Sequence, residues 1–210
     1  MKVKEYVKKN KQKIIDIYIF LNFLGWTAWQ TYNAIDESRF DFIEASFFIQ
    51  NLFVASLFLF RRISKVTDRS YFNQAIALIA FFSGALFMGS PETTNPLLLW
   101  MSKIIIFISN VLGIMTLANL GKSFGILISY RKVQSKGLYS VVRHPMYVTD
   151  LLLRVGFLIS HISIYTMIIF SVSTACYVYR ALLEERFLSQ QTEYVNYMLK
   201  VKYRFIPFIF

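Results

Sequence analysis

Apolar stretches close to the length of a membrane-crossing helix recur along this chain, at residues 14–34, 42–60, 75–89 and 97–120. Each approaches the ~20 residues a helix needs to cross ~30 Å of hydrocarbon. Two more, at 148–160 and 162–179, are separated only by His161 and read as a tight helical hairpin. The first of that pair, ~13 residues, rises only ~20 Å as a helix, short for a full crossing. The expected fold is therefore all-α: a polytopic transmembrane bundle of about six membrane segments, the last two a hairpin, with a cytoplasmic C-terminal helix. An even number of crossings returns the chain to its starting side.

Composition agrees. The 210 residues are 56% hydrophobic and 18% aromatic, with 21 Phe and 13 Tyr, and the mean hydropathy is +0.47. One soluble core cannot absorb that much apolar surface, whereas a bilayer accepts aromatic rings both in its core and at headgroup level. A secretory signal peptide is the competing reading of the lysine-rich start and residues 14–34. Asn22, Trp26, Trp29 and Gln30, with no small-residue cleavage pattern after them, favour an uncleaved helix. The single cysteine, Cys176, rules out an intramolecular disulfide and reads as a small buried hydrophobe.

A net charge of +11 would point to nucleic acid in a soluble protein, but its placement argues against that partner. Six of the 23 Lys and Arg fall in residues 2–13, four in 61–69, five in 122–143 and five in 180–204, leaving Arg39, Lys103 and Arg154. Every cluster lies at an end of an apolar stretch. The intervening connections hold Asp36, Glu37, Asp41 and Glu92 instead, the asymmetry of the positive-inside rule. Both termini are thus expected in the cytoplasm of a multi-pass protein, in the plasma or inner membrane of a prokaryote, with anionic membrane lipids as secondary partners. Residues 1–118 read as four N-terminal spans, and 119–210 as a distinct region of loop, hairpin and amphipathic helix.

That second region carries the chemistry. Residues 121–146 hold Lys122, Arg131, Lys132, Lys136 and Arg143 and no carboxylate. Gly125, Gly137 and Pro145 prevent one long helix. The length is unusual for a connector, which suggests function, and the interleaved Phe124, Ile126, Leu127, Ile128, Tyr130 and Tyr139 argue against disorder. Asp150 and Arg154 lie four apart in an apolar stretch, on one helical face, so they form either a self-neutralising pair or part of a polar cavity. On a helix over 180–199, Leu183, Phe187, Tyr194, Val195 and Met198 form the apolar arc. Arg180, Glu184 and Gln191 fall inside it, with Glu185 at its edge beside Ser189 and Asn196. A carboxylate aimed inward needs a partner: Arg180, four residues earlier, or a bound ligand.

Residues 137–147 read GLYSVVRHPMY, 184–188 read EERFL, 194–207 read YVNYMLKVKYRFIP, and LGKSF occupies 120–124. This ordered set resembles the C-terminal motifs of the isoprenylcysteine carboxyl methyltransferases and the related phospholipid N-methyltransferases, over about residues 117–210. The resemblance implies an integral-membrane S-adenosylmethionine-dependent methyltransferase with a lipid-like or prenylated acceptor and no metal. His144, Pro145 and Tyr147 match the motif that lines the cofactor, and Glu184 and Glu185 match the paired carboxylates. A sulfonium, an ammonium, a ribose diol and an adenine are groups that carboxylates and aromatic faces hold. Neighbouring helix positions point ~100° apart, so the two glutamates should differ in role, with Glu184 expected at the cofactor. A carboxylate acceptor would be ionised already and would need a cation to position it, for which Arg143, Arg154 and Arg204 are the candidates. Thr149-Asp150, where the family often has Gly two residues after the motif tyrosine, is compatible with a nicotinamide-dependent membrane sterol reductase as well. Met146 in place of Asn before Tyr147 favours the methyltransferase, and a non-catalytic membrane protein retaining the fold is the third reading.

Overall fold

In the computed structural model the described residues are 2–89 and 91–209, with side chains described from 10 to 87 and from 91 to 209. Lys2, Lys4, Lys8 and Lys9 of the first basic cluster, and Ser90 of the turn before Pro96, therefore have side chains outside that set. The protein is mostly helical, at 74%. Among the described residues, three helices are long and apolar enough to cross a membrane: α2 (Phe42–Phe60), α4 (Pro96–Leu120) and α6 (Ile164–Leu188). The others are α1 (Lys2–Asp36), α3 (Tyr71–Phe82), α5 (Pro145–Ser160) and α7 (Thr192–Lys200).

Local chemistry sets the starts of these helices. The Asp41 carboxylate caps α2, accepting from the Ile43 and Glu44 amides at 2.8 and 3.3 Å, while Lys103 of α4 donates to it over 2.6 Å. Burial opposes the charge, yet the ammonium and the amides hold this carboxyl below its ordinary range. Asn95 caps α4 ahead of Pro96, and a reciprocal Ser163–Thr166 capping box starts α6. Pro145 opens α5, where its missing N–H is no loss.

Packing runs α1 on α2, α2 on α4, α4 on α5, and α3 on α6. The α4–α5 approach is close because Gly156 faces Ile106: a Cβ there would lie 2.5 Å from Ile106 Cγ1. At the end of the bundle that holds the site, the α2–α3 connection is stitched to the basic loop. A two-residue strand, β1 (Val66–Thr67), pairs antiparallel with β2 (Ser129–Tyr130). The Gln74 side chain brackets Ile128, donating to its carbonyl at 3.1 Å and accepting from its amide at 3.0 Å. Asp16, inside the first apolar stretch, is buried and accepts from Arg61 Nε at 2.9 Å, which joins α1 to the same end.

Two boundaries differ from the sequence expectation. The third apolar stretch, 75–89, is α-helical in α3 only to Phe82 and continues as a 3-10 helix over Ser83–Gly89. Residues 180–188 are not the start of a separate helix but the last turns of α6, and the chain breaks at 189–191 before α7. Gln191 is extended there, and the break lets Tyr194, Tyr197 and Val201 fold back onto Val133 and Leu188. Tertiary packing of the two tyrosines outweighs helix continuity, which no periodicity in the sequence records.

Candidate active site

The basic loop, the start of α5, the end of α6 and α7 enclose a cleft of about 810 Å³, counting its open mouth. His144, Tyr147, Glu184 and Arg143 all line it, together with Tyr139, Tyr194 and Tyr197.

His144 occupies the residue before α5, with its backbone outside the helical region. Its amide donates to Arg204 O at 3.0 Å, and its ring stacks on Tyr147 with centroids 5.3 Å apart and planes 6° apart. The Phe205 ring lies 5.7 Å away. Nε2 is 3.1 Å from Glu185 Oε1. Pro145 is buried and serves as the rigid first residue of α5, fixing where His144 and Tyr147 project.

The two glutamates part company. Glu184 faces the cleft, lies 3.5 Å from Arg180 Nε and accepts a hydrogen bond from the Tyr147 hydroxyl. Arg180 is otherwise committed: its guanidinium donates to Ala77 O at 3.0 Å and Ile126 O at 2.6 Å, and it lies over the Tyr147 ring at 5.1 Å. Glu185 is 4% exposed and does not line the cleft. Its Oε2 accepts from Arg204 Nε at 2.9 Å, and its Oε1 lies 3.2 Å from Arg143 Nε. The Arg143 contact is misaligned for a hydrogen bond and acts as an ion pair.

The three candidate arginines therefore have different settings. Arg143 lines the cleft, its amide donating to Tyr203 O at 2.9 Å and Nη2 to Lys202 O at 3.2 Å. Arg204 sits behind the cleft wall against Glu185. Arg154 is away from the cleft, 2% exposed, donating to Asp150 at 3.1 Å, Ser83 Oγ at 2.9 Å, Ala80 O at 3.0 Å and the Tyr177 hydroxyl at 3.4 Å.

The rim holds groups that the motifs did not single out. Arg131 folds over Gly125, whose Cβ would come within 2.4 Å of its Nη1, and Nε donates to Arg62 O at 2.9 Å. Burial, with Arg61 nearby, pushes this guanidinium down to about 10, still charged at neutral pH. Tyr130 is pushed up to about 12, first by its hydrogen bond to Glu193 and then by burial. Burial also raises the phenols of Tyr139, Tyr194 and Tyr197, so all three remain neutral hydrogen-bonding groups, and Tyr197 donates to Tyr139 O at 2.7 Å. The only sequence signal for this rim is aromatic residues interleaved with cations in a loop that has no carboxylate.

Residues 109–193 match the family model described as phospholipid methyltransferase, a family within the isoprenylcysteine and phospholipid methyltransferase group. The match takes in the end of α4, the basic loop, α5, α6 and the first turn of α7. No curated protein matches the chain.

Proposed function

We propose, from the premise that residues 109–193 carry the phospholipid methyltransferase match, that this chain is an integral-membrane methyltransferase using S-adenosylmethionine on a lipid-soluble acceptor. The observation that carries the reading is the convergence of the Glu184 carboxylate and the His144 imidazole on one cleft walled by tyrosines. The donor set suits the cofactor. An inward carboxylate at the cleft can take up an ammonium or ribose hydroxyls, and the rings of Tyr147, Tyr194 and Tyr197 suit an adenine face and a sulfonium. When bound, the cofactor supplies an electrophilic methyl group.

This chain's own residues would bind, orient and keep water out. Glu184, His144, Pro145 and Tyr147 are the proposed cofactor residues, Pro145 by holding its neighbours. Arg143 is the proposed cation for an acceptor carboxylate, of which the prenylcysteine type is one, because it alone of Arg143, Arg154 and Arg204 lines the cleft. A carboxylate acceptor needs no general base. In this reading all six of the helices α1 to α6 cross the bilayer, with the cleft and both ends of the chain on the cytoplasmic side. The acceptor would arrive laterally from lipid and the soluble cofactor from water.

Calorimetry on detergent-purified protein tests the reading. Saturable binding of S-adenosylmethionine is expected, lost in Glu184→Ala and in His144→Ala while both variants stay folded; unchanged binding in both variants overturns it. The rim cations Arg131 and Lys132 would equally suit a pyrophosphate, which favours a nicotinamide cofactor as the second reading. Thermal-shift comparison of S-adenosylmethionine, its demethylated product and NADPH separates the two.

A further inference from the structure

We infer that Glu185 is a positioning residue: it pins the segment 203–205 behind the cleft wall and fixes the orientation and tautomer of His144. The inference rests on the cofactor reading of the cleft only for its effect on binding. Three cationic or polar groups meet on this one buried carboxylate. Arg204 Nε lies 2.9 Å from Oε2, with His144 Nε2 and Arg143 Nε at 3.1 and 3.2 Å from Oε1. They come from two stretches of chain about sixty residues apart, and main-chain bonds join the same stretches. The Arg143 amide donates to Tyr203 O at 2.9 Å and the His144 amide to Arg204 O at 3.0 Å. Phe205 completes the attachment, packing with Tyr147, Tyr177, Ala80 and Ala181.

A carboxylate held by two guanidiniums is an acceptor only. The imidazole nitrogen facing it must then carry the hydrogen, so neutral His144 is locked as the Nε2–H tautomer, with its ring gripped between Tyr147 and Phe205. Removing the Glu185 charge takes away the carboxylate that Arg143 and Arg204 share and frees the imidazole to turn. Removing the Glu184 charge does neither, because Glu184 touches Arg180 alone among the cations near it and faces the cleft. The adjacent carboxylates thus divide the work: Glu184 toward the ligand and Glu185 toward the frame.

The chain has two histidines, so imidazole nitrogen NMR on labelled, detergent-solubilised full-length protein reads His144 directly, with His161 as internal reference. In Glu185→Gln the His144 signals are expected to shift from a fixed Nε2–H tautomer to an averaged one. Residues 201–209 should lose amide-exchange protection, and affinity for S-adenosylmethionine should fall at least tenfold. Glu184→Gln is expected to weaken binding with His144 signals and protection as in wild type. Should Glu185→Gln not fold, Arg204→Gln, which removes one group from the same carboxylate, is expected to shift His144 and loosen 201–209 in the same direction. A Glu185→Gln or Arg204→Gln protein with wild-type His144 signals and wild-type protection overturns the assignment. If wild type binds no S-adenosylmethionine, the cofactor reading fails, while the NMR and exchange results still decide the role of Glu185.

Discussion

The Tyr130 hydroxyl donates to the Glu193 carboxylate over 2.5 Å, tying the basic rim of the cleft to the first turn of α7. The bond spans 63 positions of sequence, and Lys65 stands over the other face of the Tyr130 ring at 5.1 Å. This bond is one of the contacts that hold the rim against α7. Tyr130→Phe keeps the ring and removes the bond, which is worth ~0.5–1.5 kcal/mol. Cofactor dissociation measured by stopped flow should then be about threefold to tenfold faster, with little change in association.

The same pair sets an alkaline limit. The folded Tyr130 phenol, at about 12, stands above its ordinary value of 10.0. The neutral form is thus favoured by folding, and its contribution is complete below pH 10 and lost as pH rises through about 12. Melting temperature followed across that window should fall more steeply in wild type than in Tyr130→Phe, and the two curves should run parallel below pH 9.

Arg154 is a structural cation. Replacing it with Met would leave Asp150 without its partner at 3.1 Å and remove the donors to Ser83 and Ala80. Asp150 is about a third exposed, so the loss should be smaller than the ~3–5 kcal/mol of breaking a fully buried pair from one side. Arg154→Met should melt well below wild type in detergent, and adding Asp150→Asn should recover part of the loss. Cofactor affinity in the folded fraction should be unchanged, since Arg154 does not touch the cleft.

Gly156→Ala should destabilise by about 1–3 kcal/mol, the usual size of an overpacking penalty, because its Cβ would meet Ile106 Cγ1 at 2.5 Å. Ile106→Ala in the same chain should recover much of that, a coupling that melting curves of the two single variants and the double variant would measure.

What the sequence revealed and what it hid divide along the range of the interactions. Apolar runs marked α2, α4 and α6, and His161 marked the break before α6, because each is decided within a few residues. The i, i+4 pairs Asp150–Arg154 and Arg180–Glu184 were legible for the same reason, and both form. The Arg180 bonds to Ala77 O and Ile126 O were not, nor the Asp16–Arg61 pair, nor the fold-back of α7 that ends α6 at Leu188. These join residues tens of positions apart and leave no periodic trace. Motif order pointed to Glu184 and Glu185 together and their ~100° offset to different roles, while what each one meets is visible only in the structure: cleft on one side, Arg143, His144 and Arg204 on the other.

The lacing of Tyr203, Arg204 and Phe205 onto Arg143, His144 and Tyr147 also fixes an order of events during synthesis. Helices α1 to α6 will have left the ribosome before residue 205 does, yet the wall that carries the imidazole lacks its backing until then. A nascent chain paused at residue 195 would hold every group lining the cleft except Tyr197 and still lack the ribbon that braces them. The wall of the cleft is thus braced late in synthesis, after the helices that line it are complete.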